Sequence, residues 1–125
     1  MYDVYYAHHQ WKYGTKIEEH ELEVIKRYFP NARVCNPSTD LNFEDMSESE
    51  AMKLCLDTVG KSDILVFSSV NGCIGVGVKS EVKEAERLGK MVFYLYHDKL
   101  EQQFTIMENE TEYQSDRINA LVYSY

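Results

Sequence analysis

The sequence predicts an α/β domain with a mostly parallel sheet of about five strands, and three observations carry that prediction. Residues 64–70 and 91–95 are β-rich apolar runs, and residues 80–88 between them have helical periodicity, which leaves no room for a hairpin and implies a parallel βαβ unit. Two capping-box patterns, Thr15 with Glu18 and Ser47 with Glu50, each open another apolar-striped helix. Each of those helices is followed by a further β-rich segment. A chain of 125 residues has enough length for one core, so residues 1–125 are expected to form a single domain.

Asp3–Ala7 is the first strand, and its period of two sends Tyr5 and Tyr6 to opposite faces. His8, His9 and Trp11 then fall at its carboxyl end, where Trp11 or a histidine can stack on or hydrogen-bond a base or sugar. The plainer alternative, a loop with ordinary surface histidines, stays open. Thr15 caps the first crossover helix, with Ile17, Val24, Ile25 and Tyr28 on one side and Pro30 ending it. Residues 32–36 read as a short second strand closed by Pro37, and residues 38–45 as a polar loop able to cover a pocket. Ser47 caps the next helix, whose stripe of Met52, Cys55, Leu56 and Val59 stops near Gly60 and delivers the chain to a strand over 63–70.

Asn71-Gly72 carries a hairpin signal, but the glycine loop and helix that follow favour a turn at the strand end. Residues 76–79 read as a glycine-spaced loop, and Val78, Val82, Ala85 and Leu88 as the buried stripe of the helix after it. Glu81 then belongs to the first helical turn, where the macrodipole and free backbone N–H groups favour the anion. It sits about 100° from Val82, at the edge of the core and facing the strand ends where α/β sheets bind ligands. From spacing alone, a surface acid complementing the dipole is the competing reading. Past Tyr96 the pattern thins: 97–103 is polar, 104–107 a short strand, 108–116 an acidic connector, and 117–125 an edge strand or the last turn of a helix.

The net charge of −8 argues against a nucleic-acid polymer as partner, because such binders need a basic face, but it leaves nucleosides and mononucleotides open. Cys35, Cys55 and Cys73 are an odd number without a CxxC, and His8-His9 lacks a third ligand at motif spacing, so neither a disulfide framework nor a metal is expected, and no cofactor is. With no apolar run of about 18 residues and no secretory pattern in MYDVYYAHHQ, the expected location is cytoplasmic, with no membrane partner. Ten tyrosines, five phenylalanines and one tryptophan exceed what so small a core can bury, which makes a homo-oligomer with an aromatic interface the expectation.

One ordered set of residues goes further: a Tyr-containing first strand, Ser62-Asp63-Ile64-Leu65-Val66 opening a buried strand, Gly75-x-Gly77, then Glu81-x-x-x-Ala85-x-x-x-Gly89-Lys90. This resembles the nucleoside 2-deoxyribosyltransferase superfamily over roughly residues 2–96, most closely over 62–95. The resemblance implies a three-layer flavodoxin- or Rossmann-like domain that moves or hydrolyses N-glycosidic bonds, usually as a dimer or higher oligomer. It places Glu81 as the nucleophile, Tyr5 as the tyrosine holding it, and Asp63 as an acid on the nucleobase side. His8, Trp11, Asn71, Gly75, Gly77 and Lys79 are the expected substrate-binding residues, with Lys79 and helix-start N–H groups for any phosphate. Two departures stand out: Cys73-Ile74-Gly75 lacks the acid that the family commonly carries before its glycines, and His8-His9 replaces a Gly-Pro pair. Two functions follow, a nucleoside or nucleotide N-glycosidic-bond enzyme and a non-catalytic nucleotide-binding module of the same fold.

Overall fold

A computed structural model describes residues 1–104 and the backbone of 107–109. The elements run β1 (Asp3–Ala7), a 3-10 turn (Gln10–Lys12), α1 (Lys16–Tyr28), β2 (Arg33–Cys35), α2 (Pro37–Asp40), α3 (Glu48–Lys61), β3 (Ile64–Ser68), β4 (Cys73–Gly75), α4 (Val76–Arg87), β5 (Met91–Tyr96), β6 (Lys99–Glu101) and β7 (Met107–Asn109). Five strands form the main sheet in the order β2-β1-β3-β5-β6. The first four are mutually parallel and β6 pairs antiparallel with β5.

The architecture is a three-layer, mostly parallel Rossmann-like sandwich, and strand alternation builds it. Tyr5, Ala7, Leu65, Phe67 and Tyr94 point to one face and pack on Cys55 and Val59 of α3 and on Val78, Val82 and Ala85 of α4. Val4, Tyr6, Ile64, Val66 and Leu95 point to the other and pack on Val24 and Ile25 of α1. Because β1 connects leftward to β2 while β3 connects rightward to β5, the topological switch lies between the carboxyl ends of β1 and β3. Both tyrosines of β1 sit at this switch, one in each layer.

Several sequence expectations change. Helix α4 begins at Val76, so residues 76–79 are its first turn rather than a loop, and Glu81 lies in the second turn. Gly77 lowers helix propensity by roughly 1 kcal/mol relative to alanine, but β4, paired in parallel with β7, holds the helix start. The helix closes just past residue 88: Lys90 N–H bonds to the Ala85 carbonyl at 2.9 Å and Gly89 N–H to the Glu86 carbonyl at 3.1 Å. This is a Schellman closure, with Gly89 at φ 71° where a side chain is strained. Leu88, at the C-cap, is 40% exposed and drops out of the stripe, as Tyr28 does at 49% at the end of α1.

Asn71-Gly72 is a tight turn with both residues at positive φ, closed by a pair of hydrogen bonds between Val70 and Cys73. The hairpin signal was therefore real, but the antiparallel pairing stops after one bridge because β4 turns away to β7. His97-Asp98 makes a second such turn and forms the β5–β6 hairpin within what reads as polar loop. Pro37 opens α2 as well as closing β2, with Asn36 as its cap. Only half of the Thr15 capping box forms, because the Glu18 carboxylate bonds to Gly14 N–H and His8 instead; the Ser47–Glu50 box is complete. The readings for 110–125 lie outside the described residues.

Candidate active site

Burial forces the site's central contact. Tyr5 points from mid-β1 toward α4, where Glu81 occupies the same helical face as Val78, Val82 and Ala85, and all five are buried. A carboxylate there needs a donor, and the Tyr5 hydroxyl supplies it by hydrogen-bonding Glu81 Oε2. Glu81 is 5% exposed, and burial pushes its carboxyl up to about 7, with the Tyr5 hydrogen bond pulling the other way. Burial, then the neighbouring Glu81 charge, raises Tyr5 well above the ordinary phenol range, so this hydroxyl stays a donor. The sequence expectation that the helix start favours the Glu81 anion is overturned. One turn further along, the macrodipole gives way to desolvation.

Three more side chains surround this pair. Cys55 of α3 belongs to the same buried cluster as Tyr5, and burial raises its thiol pKa. Tyr13 faces Glu81 closely enough to feel its charge, although burial is the larger cause of its raised pKa. Beyond them, the His9 ring lies against the start of α4, where a Cβ on Gly75 would stand 3.3 Å from His9 Cδ2, so glycine permits this close approach. His9 Nδ1 accepts from Trp11 N–H at 3.1 Å, and burial pushes its pKa down to about 4, leaving a neutral imidazole beside the helix N-terminus.

The expected site residues divide. Tyr5 and Glu81 meet, while Gly75 caps α4 and Gly77 and Lys79 lie in its first turn. Trp11 packs partly buried on Val70, as Cys73 does, and Asn71 is the exposed apex of its turn. Asp63 is not brought to this site. It precedes β3, at the amino ends of the strands, where its exposed carboxylate accepts from Asp3 N–H at 2.8 Å. The competing edge of the sheet is a strand's length away, because catalytic and structural ends of a parallel strand are opposite ends.

His8 also leaves the expected position. It is buried on the α1 face, stacked on Tyr6 with ring centroids 3.7 Å apart, with Nε2 2.7 Å from Glu18 Oε2. Burial lowers its pKa while Glu18 opposes the change. The neighbouring residue His9, not His8, lies against the start of α4 at Gly75. Next to His8, a second polar cluster was not legible in the sequence. Glu21 Oε1 accepts from the Tyr6 hydroxyl and, at 2.7 Å, from Ser68 Oγ, while Lys12 Nζ donates to Glu21 Oε2 at 3.0 Å. Lys12 is 2% exposed and also bonds Ser68 Oγ and the Ser69 carbonyl, and burial lowers its pKa.

Neither of two cavities among the described residues is lined by Glu81; the larger of the two opens beside Glu21. Among the described residues no group of three or more His, Cys, Asp or Glu is placed to hold a metal ion, and no helix is long and apolar enough to cross a membrane. The three cysteines are free.

No protein-family model matches the chain, and no curated protein matches it. Among solved structures it is similar to a CMP N-glycosidase from Clostridium botulinum, BcmB, with 17% identity over 98% of this chain and 99% of that chain and a TM-score of 0.52. What that similarity establishes is the shared three-layer α/β fold.

Proposed function

We propose that this protein acts on the N-glycosidic bond of a nucleoside or nucleotide, with Glu81 as nucleophile and Tyr5 as the residue that positions it. The single observation that carries the reading is the buried Tyr5–Glu81 hydrogen bond beside the switch point of the sheet. In the proposed reaction a Glu81 oxygen bonds to the anomeric carbon as its bond to the base nitrogen breaks, and the base departs with that electron pair and takes up a proton. Water or a second base then releases the sugar from the ester. The solved neighbour's cleavage of a CMP glycosidic bond, together with the net charge of −8 that disfavours polymers, supports a nucleotide-sized substrate. Because Glu81 ionises only near pH 7, its nucleophilic form grows about tenfold per pH unit below that value.

The deciding experiment incubates the protein with a panel of nucleosides and nucleotides, with and without an acceptor base, and measures free-base release. Release without acceptor marks a hydrolase, and exchange only with acceptor a transferase. A specific observation favours a second reading, a binding module: Glu81 is 5% exposed, lines neither cavity and lacks an acid before Gly75. Saturable nucleotide binding without base release would select it. The same proposal includes a homo-oligomer, since Tyr28, Met91 and Tyr96 each remain about half exposed; a strict monomer in light scattering at tens of micromolar removes that part.

A further inference from the structure

The larger cavity lies on the α1 face, away from Glu81, yet still at the carboxyl edge of the sheet where α/β folds bind ligands. Its volume is about 280 Å³, just below the roughly 300–1,000 Å³ of drug-sized ligand pockets, so its occupant is small. Ile17 and Leu95 give it an apolar floor, and Glu21, Lys16 and His97 supply polar walls.

The hydrogen bonds around Glu21 determine what it can still accept. Oε1 takes two donors, Tyr6 and Ser68, which saturates it, whereas Oε2 takes only Lys12 and keeps one acceptor position. Lys12 has no donor to spare, because Glu21, Ser68 Oγ and the Ser69 carbonyl use all three. The other lining carboxylate, Asp98, is held by His20 Nε2 at 2.8 Å. Lys16 is the lining charge with no partner among the described residues. The wall therefore offers one part-buried acceptor for a hydroxyl and one cation, unpaired among the described residues, for an anion.

We infer that this cavity is a binding site for a small anionic polyol of the sugar-phosphate class. A sugar hydroxyl donates to Glu21 Oε2 and the phosphate lies against Lys16, with the carbon skeleton over Ile17 and Leu95. A rigid carboxylate reading sugar hydroxyls and a lysine meeting phosphate are each common solutions, and here the sheet edge brings them into one cavity. The inference does not depend on Glu81 being a nucleophile; sugar-phosphate binding and base release are separate measurements, and either can fail alone.

The test is calorimetric titration of the intact protein with ribose 5-phosphate, ribose and inorganic phosphate, with the His20 and His97 ring signals followed by NMR. Ribose 5-phosphate is expected to saturate below about 1 mM and to bind at least about tenfold more tightly than ribose or phosphate alone, while shifting both rings. Lys16→Ala, at a position without a side-chain partner among the described residues, should weaken binding at least about fivefold, and Glu21→Gln should weaken it as well. Lys61→Ala, at the opposite edge of the sheet, should leave it unchanged. Equal affinity for inorganic phosphate, insensitivity to Lys16→Ala, an equal loss in Lys61→Ala, or no binding at about 10 mM would each overturn the assignment.

Discussion

Two adjacent tyrosines of β1 each hold a helix glutamate, and the two pairs differ in what else the glutamate touches. On the α4 face, Glu81 has the Tyr5 hydroxyl as its donor and, among the described residues, no cation against it. On the α1 face, Glu21 has Tyr6, Ser68 and the Lys12 ammonium, and its side chain is 14% exposed beside a cavity. The first arrangement lets burial dominate and leaves a carboxyl that changes protonation near neutrality. The second sets a lysine ammonium 3.0 Å from the carboxylate. Tyrosine-to-glutamate contact alone therefore does not define chemistry; the presence or absence of a buried cation does.

The largest expected effect tests the asymmetry directly. Glu81→Ala should lower base release by about a thousandfold or more while circular dichroism stays native, because the proposed covalent step has no substitute nucleophile. An active wild type that keeps its rate after this change removes the nucleophile assignment.

On the other face, Lys12→Met should destabilise the protein by about 3 kcal/mol in urea denaturation, since it strands the Glu21 carboxylate without its cation. Adding Glu21→Leu to that variant should recover most of the loss. If the double variant is no better than the single, the pair is not the unit described above.

A third expectation concerns pH. The folded Glu81 pKa, about 7, stands above its ordinary value of 4.5, so the folded state binds more protons between those values and stability falls as pH rises through the window. Glu81→Gln removes this slope. It should gain roughly 2–3 kcal/mol on wild type between pH 5 and pH 8, measured by urea titration at each pH. A gain that does not change with pH would show that desolvation of the anion is not the cause.

The smallest effects compare the tyrosines. Tyr6→Phe leaves Glu21 with Ser68 and Lys12 and should cost about 1 kcal/mol. Tyr5→Phe removes the hydrogen bond that opposes burial at Glu81, so it should move the activity midpoint above pH 7 as well as lowering the rate. Equal pH profiles for wild type and Tyr5→Phe would break the positioning role.

How much of the site was legible follows from the range of the forces involved. Tyr5 and Tyr6 were assigned to opposite faces because strand periodicity is a property of the backbone, and Gly89-Lys90 ended its helix because the Schellman hydrogen bonds span six residues. Glu81 was identified but its environment was misjudged, since a helix start shifted by four residues moved it from the dipole into the core. His9 was passed over for His8 because nothing local tells which of two adjacent histidines the following 3-10 turn will direct toward Gly75. Lys12, Glu21 and Ser68 had no spacing signal at all; the loop after β1, helix α1 and the end of β3 supply one residue each.

The sequence by itself determined the alternation, the caps and the parallel order of the βαβ units, because these depend on dihedral preferences and apolar period within a few residues. Only the tertiary structure decided that the Asp63 carboxylate is taken by Asp3 N–H, that Glu81 loses its water and that Glu21 gains a lysine. Solvent exposure and the pairing of charges are set by contacts across tens of residues of chain, and for a buried carboxylate those two quantities decide whether it is a reactive acid or a fixed anion.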